Sequence, residues 1–557
     1  MEIRMMKRYS KRLLTYIYLL MKSIPLVFTM QQLSYSTDKI PILINKLPDD
    51  LNKVMNKSIY KKALWGLRVV DLDTGNVLLN LNSSTQFYIG SVRKIFSVGE
   101  LLNERGADYQ SVTTVHYDGV LHNGNLNGNL NGNLVLVASG DLTMGGRTLP
   151  DGHVAITEYD HNEANSLGNA IITQTNLLAG YQNLAKQVYK TGIRSISGDI
   201  VIDDRLFEPF NFRGEFDVTP IFINDDVVDI VILPSLINEN ANVSWLPHSS
   251  AFTVINQLLT VNPHEKYNLE LESKLPTCIG KPGCSGIIKG HLPINFIPPL
   301  THSYPLVQTF RITKPSNYAR TIFIEALQEA GINVSSIDKT KENPKKLLKS
   351  TNLYNKNNKI AALKSLPLRE HVKYILKVSY NIGADTSLVL YGLTKGARSM
   401  IESLNVEKKI LDKKYGISPS EYHFIDGSGG GETKATNTAI IKWLTIMSKR
   451  PVFNIFYNSL PILAVDGSLG SINNFQSDPS LSGATGRVHA KTGTYVLGNE
   501  SGMLVKGRSL AGYIISKKNH RLAFALVVNN IPIQSLEDLF AVAQDQGIIA
   551  SILWRDY

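Results

Sequence analysis

Apolar positions along this chain keep changing rhythm between every second residue and roughly every third or fourth, and each rhythm marks a different element. Residues 67–72 and 77–81 are short apolar-rich runs separated by Asp73-Thr74-Gly75-Asn76, which predicts a β-hairpin. After Tyr88-Ile89-Gly90 the period lengthens: Ile95, Phe96, Val98, Leu101 and Leu102 predict a helix that Gly106 stops. Leu368, Val372, Ile375, Leu376 and Val378 form a second helical stripe, and a further helix follows over 382–393. Near the end of the chain, 491–496, 510–515 and 522–528 read as three strands, the last two joined by Lys518-Asn519-His520. A terminal helix over 536–553 begins behind an N-capping Ser535. The stretch 113–365 mixes both rhythms, with one clear helix over 316–330 before Gly331.

Three polar clusters fall where these rhythms change: Ser91-Val92-Arg93-Lys94, Ser379-Tyr380-Asn381 and Lys491-Thr492-Gly493-Thr494. In a first helical turn Ser91 and Lys94 share one face, and a buried lysine gives up its charge readily. The neutral amine can then take the serine's proton, as acyl transfer requires. Ser379-Tyr380-Asn381 lies between two helices, where a loop can project a hydroxyl and an amide into a cleft. A strand carrying Lys491 and Thr492 can offer both to an anionic terminus, while Gly493 admits another backbone closely. The first two clusters alone also have an ordinary reading, as an N-capping serine and a polar helix connection. Stray copies occur, as Ser-x-x-Lys at Ser36, Ser58 and Ser336, Ser-x-Asn at Ser350, Ser403 and Ser471, and Lys-Thr-Gly at Lys190. The Lys190 copy ends a helix-like segment with Gly192 as its cap, which marks it as structural.

Taken together and in order, the clusters resemble the S-x-x-K, S-x-N and K-T-G signature of the penicillin-binding-protein and β-lactamase superfamily. The long interval from Ser91 to Ser379, against the short one from Ser379 to Lys491, resembles the class C low-molecular-mass penicillin-binding proteins, the D-alanyl-D-alanine carboxypeptidase/endopeptidase family. Gly140-Asp141, Asp426-Gly427-Ser428-Gly429 and Val465-Asp466-Gly467-Ser468-Leu469 are similar to segments of that family. The resemblance implies an α/β (α+β) protein: a transpeptidase-like domain of antiparallel sheet flanked by helices, with mixed accessory domains inserted between the first two motifs. The expected division is 1–36 signal peptide or N-terminal anchor, 37–112 and 366–557 catalytic domain, and 113–365 insertion. It further implies Ser91 as nucleophile, Lys94 as base, Ser379 as proton relay, Asn381 as holder of the substrate amide, and Lys491, Thr492, Gly493 and Thr494 as the substrate strand. The N–H groups of Ser91 and Thr494 would form the oxyanion hole. Substrates would be peptidoglycan stem peptides and inhibitors β-lactams, with no metal or cofactor. Three departures stand out: Tyr380 where Asp is common, Gly430-Gly431 where Leu-Ser is usual, and about ten extra residues over 498–508. A β-lactamase-like or esterase-like hydrolase and a non-catalytic wall-binding scaffold of the same fold stay open at this level.

The 557 residues, 43% hydrophobic and 19% charged, describe a globular chain of about three or four domain equivalents. A net charge of +11 comes without any nucleic-acid motif, so attraction to an anionic wall or membrane surface, a peripheral association, accounts for it. Cys278 and Cys284 suit a local disulfide in an exported protein and lack the further ligands that zinc needs. Arg4, Lys7, Arg8, Lys11 and Arg12 precede the apolar run 13–21, which points to export, with Met21 as an alternative start. Asn-Gly-Asn-Leu recurs from Asn123, Asn127 and Asn131 and reads as an expanded hairpin loop. His153 and His161 near Asp160 read as a surface loop.

Overall fold

The computed structural model describes residues 47–122, 128–334, 337–499 and 502–557. The N-terminal basic and apolar segment lies outside them, as does the first Asn-Gly-Asn-Leu unit. No described helix is long and apolar enough to cross a membrane.

The central element is a six-stranded antiparallel sheet. Strand β1 (Leu64–Asp71) pairs with β2 (Val77–Leu81), and Gly75 in the intervening turn has φ +77°, the left-handed value expected of that turn. Across β1 lies β5 (Arg521–Asn529), then β4 (Gly502–Ile515), then β3 (Val488–Asn499) at the edge, while Ile531–Ile533 pairs with β4. Both faces of the sheet are buried, and β5 shows how one sequence serves two cores. Ala523, Ala525 and Val527 face a helical layer, whereas Leu522, Phe524, Leu526 and Val528 face the terminal helix α4 (Leu536–Asp556). Ser535 caps α4 through a hydrogen bond from the Asp538 N–H.

The helical layer contains α1 (Lys94–Arg105), α2 (Leu368–Val378) and α3 (Asn381–Leu393). Ile95, Phe96, Val98, Leu101 and Leu102 of α1 are all buried, and Gly106 ends the helix at φ +79°. The Trp443 indole N–H donates to the Ile95 carbonyl at 2.8 Å, which fixes the rotation of α1 one turn beyond Ser91.

The stretch between α1 and α2 builds its own core. Its first and last strands, Val112–His122 and Lys359–Lys364, pair with each other in a five-stranded sheet. Two three-stranded sheets and the helices Ala179–Lys190 and Pro315–Glu329 complete it. Cys278 and Cys284 are joined by a disulfide.

The Asn-Gly-Asn-Leu repeat corrects the loop expectation. From Gly128 on, its second and third units run through the strand Gly128–Val137, paired antiparallel with Val112–His122. A four-residue repeat is twice the strand period, so Leu130 and Leu134 both face the core while Asn129 and Asn131 face outward. Gly132 has φ +152°, and a Cβ there would lie 2.2 Å from the Asp118 carbonyl oxygen, so glycine is demanded by close strand approach rather than by a turn. Leu134→Ala is expected to cost about 2–5 kcal/mol in denaturant unfolding, as for a core leucine. A loop residue would lose almost nothing.

Candidate active site

Residues Gly90–Arg93 form a 3-10 turn that runs directly into α1. The helix N-cap is Arg93, without a side-chain cap bond, so Ser91 does not cap the helix. Its Oγ instead lies 2.6 Å from Lys94 Nζ. That nitrogen also donates to Asn381 Oδ1 at 2.6 Å and to the Ser428 carbonyl at 3.0 Å. Burial, aided by the Arg213 charge, brings the Lys94 ammonium down to about 7 against the pull of Asp385, Asp426 and Glu163. A neutral amine has two N–H groups and one lone pair. The two carbonyl oxygens use the N–H groups, and the lone pair faces the Ser91 hydroxyl. Beneath Lys94, burial and the Asp426 charge push Asp385 up to about 7.

Ser379 ends α2 in the left-handed region, at φ 66° and ψ 34°, and lines the same cleft as Ser91. Tyr380 next to it is 1% exposed and packs its ring 5.1 Å from that of Tyr374, so this bulky residue turns into the core. Asn381 opens α3, and its Nδ2 donates to Glu163 Oε1 at 2.6 Å, which leaves Oδ1 directed at Lys94.

Strand β3 crosses the front of the Ser91 turn. A Cβ on Gly493 would lie 2.0 Å from the Ile89 carbonyl oxygen and 3.0 Å from the Ser91 nitrogen. A Cβ on Gly90 would lie 2.7 Å from the Thr494 nitrogen. Both backbone nitrogens therefore lie where turn and strand approach each other closely. Thr492 Oγ1 lies 2.7 Å from Ser468 Oγ. The Ser468 segment is held by the buried Lys377, whose Nζ contacts both Asp466 carboxylate oxygens at 2.6 and 2.7 Å. Lys491 is fully buried and donates to the Thr492 carbonyl at 2.9 Å. Burial, then the charges of Lys94 and Arg508, hold it well below the usual lysine range. Residues 498–499 and 502–508 lengthen the β3–β4 ladder, with Arg508 opposite Thr494 and its guanidinium bonded to the Thr494 hydroxyl.

The structure thus brings Ser91, Lys94 and Asn381 into direct contact and sets Ser379, Thr492 and Thr494 on the walls of one cleft of about 340 Å³, with Lys491 fully buried and outside the cleft lining. Four residues without an assigned role in the sequence reading also belong here: Ser428, Ser468, Glu163 and Arg508. The first two lay in segments already matched to the family. Glu163 carried no sequence signal, and Arg508 stood out only as the last of the extra residues 498–508.

His161 corrects the surface-loop expectation. It is buried, with Nδ1 2.8 Å from Asp229 and Nε2 2.8 Å from Asp225. Burial opposes its charge, but Asp229, Asp160 and the hydrogen bonds to Asp225 and Asp229 outweigh it and hold the imidazole up at about 10. His153 is exposed as expected. Asp160, His161 and Asp225 are close enough to suggest a metal, but Arg147 already contacts both carboxylates, at 2.8 and 2.6 Å, and supplies the cation.

A serine in contact with a buried lysine, beside a β-strand that presents threonines, is the arrangement that acyl transfer by an active-site serine requires. The family model of the D-Ala-D-Ala carboxypeptidase 3 (S13) family matches residues 47–223 and 288–546. The chain belongs to that family and is a serine D-Ala-D-Ala carboxypeptidase, a class C penicillin-binding protein by type. The fold is similar to that of penicillin-binding protein 4 from Haemophilus influenzae, with a TM-score of 0.65 at 17% identity over 91% of this chain and 99% of that one. A second structure of that protein, complexed with a β-lactam, gives a TM-score of 0.62 at 19% identity with the same coverage. No curated protein sequence matches the chain.

Proposed function

We propose that the enzyme trims peptidoglycan stem peptides through an acyl-enzyme on Ser91. Ser91 attacks the carbonyl between two D-alanines as Lys94 takes its proton. The Ser91 and Thr494 N–H groups stabilise the oxyanion. Ser379 passes a proton to the departing amine, and Asn381 holds the substrate amide. Thr492 and Thr494, with Arg508 beside them, receive the terminal carboxylate, and Gly493 leaves space for the strand to approach the turn. That anion favours the proton on buried Lys491, so binding charges the lysine that then helps to hold it. Water releases the product. Cleavage of a cross-link uses the same acyl-enzyme with a longer amine as leaving group, so endopeptidase action is the second reaction of this site. β-Lactams present the same carbonyl and carboxylate and acylate Ser91.

The observation that carries this reading is the 2.6 Å approach of Lys94 Nζ to Ser91 Oγ in a site whose burial brings the lysine down to about 7. Residues 37–112 and 366–557 form the catalytic domain and 113–365 the accessory insertion. Export to the cell envelope is supported by the basic N-terminal segment and the Cys278–Cys284 disulfide. Intact-mass spectrometry with penicillin tests the reading: a one-to-one adduct on the wild type and none on Ser91→Ala is expected. A folded wild type that forms no adduct would overturn it.

A further inference from the structure

The first motif cluster contains a buried charge that the reaction does not use. Arg93, between Ser91 and Lys94, is fully buried and turns away from the cleft. Its Nε donates to the Asp426 carbonyl at 2.8 Å, its Nη2 to Glu407 Oε2 at 2.6 Å, and its guanidinium lies 4.1 Å above the Phe424 ring. Glu407 belongs to the helix Met400–Tyr415 and is itself 1% exposed. Glu100, one to two turns further along α1, faces the same pair. Burial and the Glu407 charge hold it well above the usual carboxyl range, so it stays a neutral acid and Glu407 alone balances Arg93.

What Arg93 grips is the loop that orients the base. The Asp426 carboxylate accepts the N–H groups of Ser428, Gly429 and Gly430 at 3.1, 2.7 and 2.9 Å, which makes the loop one rigid unit. Ser97, also on α1, donates to the Gly427 carbonyl at 2.6 Å. Ser428 in turn presents its carbonyl to Lys94 Nζ. A Cβ on Gly429 would lie 2.0 Å from the Gly90 carbonyl, so the loop has no slack against the nucleophile turn.

We propose that Arg93, anchored by Glu407, is a positioning residue for Lys94: it clamps the Asp426–Gly429 loop to α1 so that the Ser428 carbonyl and the dry wall of the loop hold the amine in line with Ser91. Desolvation is the largest influence on Lys94, so a loosened loop that admits water raises the lysine toward its ordinary value even as one acceptor is lost. Of the charged groups that act on the amine, Asp385, Glu163, Arg213 and Lys491 lie outside the loop, and none of them, nor Asp426, is removed when Arg93 or Glu407 is changed.

The inference rests on the Ser91–Lys94 reading, and one experiment separates the two. Acylation rates by a chromogenic β-lactam are measured from pH 5 to 10 on wild type, Arg93→Lys, and the double variant Arg93→Met with Glu407→Leu, which leaves no buried charge unpaired. Arg93→Lys keeps the charge but lacks the Nε donor to the loop. The expected result is a pH midpoint raised by about one unit in both variants, hence roughly tenfold slower acylation below pH 7 and rates near wild type at high pH. A midpoint that stays put in both variants, whatever the fall in Tm or in acylable fraction, overturns the positioning role. No acylation of the wild type itself would instead overturn the reading of Ser91 and Lys94.

Discussion

Lys94→Ala is expected to slow acylation of Ser91 by about 10²–10⁴-fold, the range lost when a positioned general base is removed. The pH dependence is the sharper signature. Because the folded site depresses the lysine to about 7, the free amine is the dominant form above that value and is lost below it. Wild-type acylation should therefore fall about tenfold per pH unit on the acid side of the midpoint and level off on the alkaline side. Asp385 titrates in the same range, so the midpoint belongs to the two groups together. Lys94→Ala removes the plateau and leaves a slow rate set by hydroxide. Lys94→Arg is as informative, because it keeps a cation near Asn381 and Ser428 but offers no lone pair at neutral pH. If it acylated at near wild-type rates, Lys94 would be a structural cation and not a base. Stopped-flow β-lactam acylation on all three proteins decides the point.

What could be read from the sequence is what local chemistry dictates. The β1–β2 hairpin announced itself through Asp73-Thr74-Gly75-Asn76, α1 through its apolar stripe and Gly106, and the β3–β4–β5 ladder through three apolar runs with a turn at Asn519, which has φ 65°. The three motif clusters lie within the elements expected for them. Convergence was not legible, because it depends on contacts between residues hundreds of positions apart. Glu163 reaches Asn381 from within the insertion, and nothing around it in Asp160-His161-Asn162-Glu163 marks it as a partner of the Ser379 loop. The misreading of His161 has the same origin: its partners Arg147, Asp225 and Asp229 make a polar segment buried, and their contribution is invisible one residue at a time. The Asn-Gly-Asn-Leu repeat misled for another reason. Asn-Gly is a turn signal, yet leucines four apart are equally in phase for a strand, and pairing with Val112–His122 decides between the two.

Gly493→Ala is expected to lower the acylation rate by about 10²–10³-fold, comparable to losing one oxyanion-hole donor. The glycine is demanded by space and not by backbone conformation. The new methyl would lie 2.0 Å from the Ile89 carbonyl oxygen, 2.4 Å from Ser509 Oγ and 3.0 Å from the Ser91 nitrogen. Ser509 cannot swing aside freely, because its hydroxyl donates to that same Ile89 carbonyl at 2.6 Å. Two of the three obstacles are backbone, so β3 has to move away from the nucleophile turn. That movement carries Thr494 with it and opens the close approach of turn and strand beside which the Ser91 and Thr494 nitrogens lie. It also drags Thr492 from Ser468, so binding of the substrate carboxylate weakens along with oxyanion stabilisation. Lys94 is held from the other side, by Asn381 and Ser428, and its pH midpoint should stay where it is. This separates the effect from that of Arg93: Gly493→Ala lowers the plateau without shifting the midpoint, whereas loosening the Asp426–Gly429 loop shifts the midpoint and spares the plateau. Acylation by Gly493→Ala within a few-fold of wild type would mean that the strand yields without cost, and that the oxyanion hole is not built at the junction of β3 and the Ser91 turn.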